Sequence, residues 1–137
     1  MQLTQPLHAL LIGIDAYSPS GSPIDDPDDG APTIYSDLYG SVRDVQRMSL
    51  FLRDELGVPP SCIHTLTAPL TESTAPEERP RELPTYEGIL AAWRRLSDRA
   101  RAGDQVLVHY SGHGGRVPTI APTIKPNGLD ETLVPCN

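Results

Sequence analysis

Residues 105–115 have the sequence QVLVHYSGHGG, an apolar run that ends in a histidine between glycines. The first half is rich in β-branched and aromatic residues, which favour a buried β-strand. The glycines then break the strand and let the backbone approach another group closely. His113 therefore follows a predicted strand, where an imidazole can serve acid–base chemistry or simply hydrogen-bond its neighbours in a turn. On these residues alone, both interpretations of His113 stay open.

The length and charge of the chain limit its class. It has 137 residues, enough for one hydrophobic core, and a formal net charge of −7, which argues against a nucleic-acid or anionic-membrane partner. The longest apolar run, residues 7–14, suits a strand rather than a membrane span, and residues 1–6 lack the features of a secretion signal. Cys62 and Cys136 do not make a disulfide framework, so we expect a reducing, cytoplasmic location.

The rest of the chain alternates strands and helices. The apolar patterns predict strands over 7–15, 62–66, 105–110 and 131–135, helices over 41–56 and 86–102, and proline-rich loops over 18–37, 67–83 and 116–127. This order implies an α/β fold with a parallel sheet and right-handed crossovers. The stripes expected to face the core are Val42, Val45, Met48, Leu52 and Leu56 on the first helix, and Ile89, Leu90, Trp93 and Leu96 on the second.

Acidic residues suggest two further places for a ligand. Asp15 stands at the carboxyl end of the first strand, where open α/β sheets bind their ligands. The run at residues 25–30 contains four aspartates that could bind Ca²⁺. Its spacing does not match a helix-loop-helix calcium site, so a solvated acidic loop is the favoured interpretation.

The residues alone do not supply His113 with a convincing nucleophile. Ser111 lies in the same loop, but the chain has no Gly-x-Ser-x-Gly elbow. A metal site built from His109, His113 and Cys136 lacks a zinc-peptidase motif, and His109 is better explained as a core or sheet-face residue. Cys62 begins its predicted strand, which places it at the opposite edge of a parallel sheet, and Cys136 stands in no recognisable nucleophile context.

Four segments, in order, resemble the caspase-like cysteine peptidases, and the metacaspase and bacterial orthocaspase branch most closely. They are residues 7–17, 38–44, 103–114 and 129–135, of which the Tyr-Ser-Gly-His-Gly motif in the third is the most specific. The resemblance implies a caspase-like three-layer α/β fold, with a mostly parallel sheet and helices on both faces, incomplete in this chain. Residues 1–137 would be the large-subunit-like portion of that peptidase domain.

The resemblance also implies a cysteine endopeptidase. His113 falls on the catalytic histidine, and the backbone N–H of Gly114 on an oxyanion donor. Asp44 and Ser111 fall on a pocket that accepts Arg or Lys before the cut. The family's nucleophile motif, of the Asp-x-Cys-His-Ser-Gly type, does not occur in this sequence. The resemblance therefore assigns the catalytic cysteine to a C-terminal, small-subunit-like part. The alternative is a catalytically inactive caspase-fold regulatory or interaction module.

Such chemistry requires no cofactor, but many members of the family are activated by Ca²⁺, and Asp130 falls on one of their ligand positions. One carboxylate is not a calcium site, so calcium dependence stays open. The resemblance further implies protein or peptide substrates, self-cleavage in a loop, and a bacterial stress, defence or regulated-proteolysis setting. Basic residues in the predicted loops are Arg79, Arg81, Arg116 and Lys125.

Overall fold

A computed structural model describes residues 5–17, 24–25, 32–33, 35–70 and 82–137. The elements are β1 (Leu7–Ile14), β2 (Ile24–Asp25), β3 (Pro32–Thr33), α1 (Ser41–Leu50), a π-helical turn (Phe51–Glu55), a 3₁₀ turn (Pro60–Cys62), β4 (Ile63–Ala68), α2 (Tyr86–Arg99), β5 (Gln105–Ser111), β6 (Gly114–Pro118) and β7 (Leu129–Leu133). Among the described residues, no helix has both the length and the apolar character needed to cross a membrane.

The centre of the fold is β1, which lies between β4 and β5 and is parallel to both. Successive side chains of a strand point to opposite faces of the sheet. Leu10 and Ile12 accordingly lie in one core with Ala92 of α2. Ala9 and Leu11 lie in a second core with residues of α1 and the π-helical turn. The predicted α/β fold, with a mostly parallel sheet and helices on both faces, is confirmed.

A glycine in β1 lets α1 approach the sheet. A Cβ atom on Gly13 would lie 2.7 Å from the carbonyl oxygen of Ser41 and 2.8 Å from Cγ2 of Val45. Both distances are too short for real Cβ contacts, so the first turn of α1 occupies the space that a side chain would need. Gly13 therefore sets how closely α1 begins above the end of β1.

The part of the chain after β5 differs from the prediction. β6 and β7 form an antiparallel hairpin, paired from Gly114 with Leu133 to Pro118 with Leu129. The prediction of a loop from residue 116 was thus wrong for the end of β6, and the last strand does not join the parallel sheet. Two glycines and a terminal proline give β6 little strand signal, because such residues are depleted in regular strands.

The core-facing stripe of helix α2 agrees with the prediction only at Ile89 and Leu96. Ala92 is fully buried, and Ile89 and Leu96 pack partly buried against the same core. Leu90 and Trp93, which we expected to be buried, are 37% and 48% exposed. The helix lies mainly over β1 and β4, so the described sheet is too narrow to cover both apolar flanks of α2.

Replacing Gly13 with alanine is expected to destabilise the chain by about 1–3 kcal/mol, because the added methyl group overpacks the contact between β1 and α1. Urea unfolding followed by circular dichroism measures this free energy. Gly114→Ala is the matched control, since a Cβ there would meet only Thr132 O at 3.7 Å and its φ is not positive. Equal unfolding midpoints for the two variants would contradict the packing role of Gly13.

Candidate active site

The residues predicted to form the site meet at the carboxyl edge of the parallel sheet. β1 and β5 end side by side, with Gly13 paired to Ser111. His113 and Gly114 follow directly in the chain, and Asp44 lies in the first turn of α1, which begins over Gly13. This is the edge at which open α/β sheets bind their ligands. The fold thus brings together all four residues predicted for catalysis and substrate binding.

Asp44 and Ser111 form a hydrogen-bonded pair between helix and sheet. Ser111 Oγ donates to Asp44 Oδ2 at 3.1 Å. The carboxylate is exposed and keeps further lone pairs that can accept from another group. A carboxylate and a hydroxyl side by side are suited to binding an ammonium or guanidinium group through charge-assisted hydrogen bonds.

The carboxylate of Asp15 anchors the start of α1. Its Oδ1 accepts from the backbone N–H of Gly40 at 3.0 Å and of Ser41 at 2.7 Å, and its Oδ2 from that of Val42 at 3.4 Å. The first N–H groups of a helix lack partners within the helix, and a carboxylate there also complements the helix dipole. No side chain of Gly40 can cap the helix, so β1 supplies the cap instead. Asp15 lies at the predicted edge, and its contacts there orient α1 and hence Asp44.

The hydrogen bond of the His113 side chain indicates which ring nitrogen carries the proton. Nε2 lies 2.8 Å from the carbonyl oxygen of Ser36. Because a carbonyl can only accept, neutral His113 carries its proton on Nε2 and leaves the lone pair of Nδ1 available. The side chain is only partly buried. Nδ1 can therefore accept a proton from an approaching thiol and later donate it to a leaving amine.

The backbone at His113 is held on both sides. Its N–H donates to Tyr17 Oη at 2.7 Å, and its carbonyl oxygen accepts from Tyr110 Oη at 2.7 Å and from the N–H of Val134 at 3.1 Å. Burial, reinforced by the neighbouring Tyr17 hydroxyl, raises the pKa of Tyr110 well above its usual range. Tyr110 is therefore a neutral donor at any physiological pH.

Gly112 and Gly114 differ in whether the fold requires a glycine at that position. A Cβ on Gly112 would lie 2.6 Å from Tyr110 Oη and 2.7 Å from Tyr17 Oη, so the two hydroxyls occupy its place. A Cβ on Gly114 would make only an ordinary contact, 3.7 Å from Thr132 O. The fold thus requires a glycine at Gly112 but not at Gly114, where the lack of a side chain keeps an exposed stretch of backbone open.

Two aromatic residues around His113 were not predicted from the sequence. The rings of Tyr17 and Tyr35 have centroids 4.9 Å and 5.2 Å from the imidazole centroid. Tyr17 lies three residues after the end of β1, and that position at the ligand edge could have marked it. Tyr35 follows a proline-rich stretch, where the sequence carries no comparable signal.

Neither cysteine of the chain is placed to react with His113. Cys62 directly precedes β4 at the amino end of the strands, opposite the site, as predicted. Cys136 is 9% exposed and lies in the core beneath α2, where its N–H donates to Pro84 O. Burial raises the pKa of the Cys136 thiol, which disfavours the reactive thiolate.

Asp130, the predicted metal ligand, belongs to no metal-binding group among the described residues. Asp130 lies in β7, and the carboxylate of the next residue, Glu131, is paired with Lys125. Within the described ranges, no group of three or more His, Cys, Asp and Glu side chains could hold a metal ion. Since Ca²⁺ takes about six to eight oxygen ligands, Asp130 alone does not fit it. Most of the acidic run at residues 25–30 lies outside the described residues. His109 Nε2 is buried without a described hydrogen-bond partner.

Alkylation of the folded chain should modify Cys62 and spare Cys136. Cys62 is partly exposed, whereas Cys136 is buried and its raised pKa leaves little thiolate at about pH 8. Mass spectrometry after brief treatment with iodoacetamide, with and without urea, measures this. Cys62→Ser controls for the assignment. Rapid labelling of Cys136 in the native chain would contradict its placement and reopen it as a nucleophile.

The sequence matches the family model for the metacaspase, peptidase C14 domain over residues 8–137. It is 35% identical over 108 residues to Metacaspase-9 of Arabidopsis thaliana, covering 77% of this chain and 30% of that protein. It is 31% identical over 127 residues to Metacaspase-1A of Aspergillus oryzae, covering 93% of this chain and 25% of that protein. The chain thus spans less than a third of the length of these relatives.

A solved structure shares the fold. The crystal structure of protein GSU0716 from Geobacter sulfurreducens matches with a TM-score of 0.59 at 23% sequence identity. The match covers 96% of this chain but 40% of that one. The arrangement of strands and helices described above therefore also occurs in a longer protein.

Proposed function

This chain belongs to the metacaspase family, peptidase C14, and from that premise we propose that it is the histidine-bearing part of an endopeptidase that cleaves after Arg or Lys. The family is one of cysteine peptidases. The observation that carries the proposal is the bond of His113 Nε2 to Ser36 O, which leaves the lone pair of Nδ1 for a proton, at the same sheet edge as the Asp44–Ser111 pair. His113 can transfer a proton while the Asp44–Ser111 pair binds a cationic side chain.

In the proposed mechanism, His113 Nδ1 takes the proton of a cysteine thiol carried by a C-terminal, small-subunit-like part. The thiolate attacks the carbonyl carbon of the peptide bond, and the exposed N–H of Gly114 donates to the oxygen that becomes negative. His113 then gives the proton to the leaving amine. Water hydrolyses the resulting thioester with the same histidine as base. Ser36 O keeps Nε2 occupied throughout, so only Nδ1 exchanges the proton.

The proposed specificity follows from charge. The Asp44 carboxylate is exposed and accepts from Ser111 at 3.1 Å, and both groups face the edge where the substrate would lie. An Arg guanidinium or Lys ammonium can donate to them, whereas an aspartate before the cut would be repelled. The net charge of −7 acts in the same direction, although weakly.

One flank of α2 carries exposed apolar side chains, which is evidence for a partner on this face of the sheet. On the β4 side of α2, Arg95 reaches Glu82 at 2.6 Å and His64 at 3.2 Å. The opposite flank, which carries Leu90 and Trp93, therefore points toward β5. These two side chains are 37% and 48% exposed. The described part of the chain leaves this apolar flank uncovered.

β5 provides the floor of the same open region. It is an edge strand of the described sheet, and Val106, on the face that Val108 and Tyr110 share with the α2 core, is 52% exposed. We call the region between Leu90, Trp93 and Val106 the α2–β5 groove. Because the relatives are more than three times as long as the matched segment, we propose that the cysteine-bearing part covers this groove.

Four finer features are likewise proposed. Two free thiols are in keeping with a cytoplasmic location. For self-cleavage, Arg116 lies in β6 and Lys125 in the connection between β6 and β7, while residues 79 and 81 lie outside the described ranges. Ca²⁺ would act as an activator through ligands additional to Asp130. The relatives reported above come from a plant and a fungus, so a bacterial, orthocaspase identity is a prediction from the sequence resemblance alone.

The full-length protein should hydrolyse Arg- and Lys-terminated peptide reporters but not Asp-terminated ones. Asp44→Asn should lower kcat/KM for the Arg reporter about 10- to 100-fold, since it removes a charge-assisted hydrogen bond. Asp54→Asn, which alters an exposed aspartate of the π-helical turn, is the matched control. A preference for Asp reporters would refute the pocket, and undiminished activity of His113→Ala would remove His113 from the mechanism. Inactivity together with the lack of a cysteine motif would favour the inactive regulatory module.

The only tryptophan of the chain reports on the α2–β5 groove. In the isolated 137-residue chain, the 48% exposed Trp93 should emit at long wavelength and be quenched readily by iodide. In the full-length protein its emission should shift to the blue and quenching should fall, because the cysteine-bearing part covers it. Leu90→Asp should reverse the shift, whereas Ile120→Asp, at a 98% exposed position of the hairpin connection, should not. Identical quenching in both proteins would contradict the proposed contact.

A further inference from the structure

Two tyrosines of the segment between β1 and α1 enclose the side chain of His113, and one of them also contacts its backbone. We propose that Tyr17 is a positioning residue for the reaction, which acts through His113 and does not touch the substrate. The inference rests on the proposed role of His113 as the base. Tyr17 is 8% exposed, so its ring lies behind the imidazole rather than in the open part of the site.

The hydroxyl of Tyr17 fixes the path of the loop. Tyr17 Oη accepts the N–H of His113 at 2.7 Å. The loop bends closely around this oxygen, because a Cβ on Gly112 would lie only 2.7 Å from it. Without the hydroxyl, the N–H of His113 would lose its partner and the turn its inner contact. This oxygen therefore holds the N–H side of the histidine backbone, while Tyr110 and Val134 hold its carbonyl side.

The ring of Tyr17 fixes the orientation of the imidazole. The centroids of the two rings are 4.9 Å apart and their planes are inclined at 55°. Tyr35 lies at 5.2 Å and 42° from the imidazole, and both separations are typical of aromatic pairs. Half a turn of the imidazole about its Cβ–Cγ bond would put Cδ2 in the place of Nδ1 and Cε1 in the place of Nε2, and so break the bond from Nε2 to Ser36 O. The flanking rings restrict that turn and so keep Nε2 on the carbonyl of Ser36, which leaves Nδ1 as the nitrogen without the proton.

Tyr17 is itself held firmly. Its backbone N–H donates to Asp37 Oδ1 at 2.9 Å, and its side chain packs in the core beneath α2. The preceding residue, Ala16, donates its N–H to Ala68 O at 2.9 Å. Because its backbone is fixed in this way, the Tyr17 side chain has little freedom to move and can hold the His113 imidazole in one orientation.

The first test is spectroscopic and uses the 137-residue chain alone. Nitrogen-15 NMR of the imidazole should show His113 with its proton on Nε2. Tyr17→Phe, which keeps the ring, should retain that tautomer, and Tyr17→Leu, which removes the ring, should give a mixture of tautomers. The same two substitutions at Tyr39, which is 84% exposed, serve as controls and should change nothing. An unmixed Nε2-protonated signal in Tyr17→Leu would overturn the role of the ring.

The second test is kinetic and uses the full-length protein. Tyr17→Phe should lower kcat about 2- to 10-fold with KM unchanged, as expected for the loss of one hydrogen bond that aligns the base. Tyr17→Leu should lower kcat further, and Tyr39→Phe should match the wild type. Should Tyr17→Leu fail to fold, Tyr17→Phe alone decides. An unchanged kcat in Tyr17→Phe, or a rise in KM as its main effect, overturns the proposal.

The two tests separate this inference from the proposed function. Mixed tautomers in Tyr17→Leu support the positioning of His113 even where the full-length protein cleaves no peptide. Active full-length protein with unchanged kcat in Tyr17→Phe leaves the peptidase intact and removes Tyr17 from its machinery.

Discussion

The hydrogen bonds from the first turn of α1 to the Asp15 carboxylate are the constraint on which the site depends. They join the end of the central strand to the start of a helix whose own first N–H groups have no other cap. Gly13, two residues earlier, lets the helix sit directly on the strand, and Tyr17, two residues later, holds the histidine loop. The positions of Asp44, the proposed pocket residue, and His113, the proposed base, therefore both depend on one five-residue segment at the end of β1. A displacement of that segment would move both at once, which keeps their separation constant.

Much of the fold could be predicted because its signals are local. A parallel strand buried on both faces is almost continuously apolar, as β1 is, and the helices show clear apolar stripes. The periodicity of α2 did not show which of two adjacent stripes would face the sheet, since Leu90 and Trp93 are as apolar as the residues that do. That choice is made by the position of α2 over β1 and β4, a tertiary property. The β6–β7 hairpin was missed because its pairing, and not the propensity of Gly115 or Pro118, makes β6 a strand.

The candidate site, like the fold, could be predicted from the sequence only in part. His113 was visible as a polar residue at a strand end, and its role, with those of Asp44 and Gly114, came from the resemblance to a family. The partner of its Nε2 could not be predicted, because the carbonyl of Ser36 is a backbone group that every residue possesses and lies 77 positions earlier in the chain. The same holds for Tyr17, 96 positions away. Sequence patterns identify reactive side chains, whereas the groups that orient them depend on how distant segments meet.

Among the described residues β5 is an edge strand of the parallel sheet, and this has a consequence for the isolated chain in solution. Unpaired N–H and C=O groups along an edge strand are a template for pairing with another chain, and the adjacent Val106 adds apolar surface. A net charge of −7 opposes such stacking by mutual repulsion. The Debye length falls from about 10 Å at 0.1 M salt to about 3 Å at 1 M. Electrostatic repulsion between molecules therefore opposes association of the isolated chain through β5. Concentrated salt screens that repulsion, so we expect the chain to associate more readily at high salt.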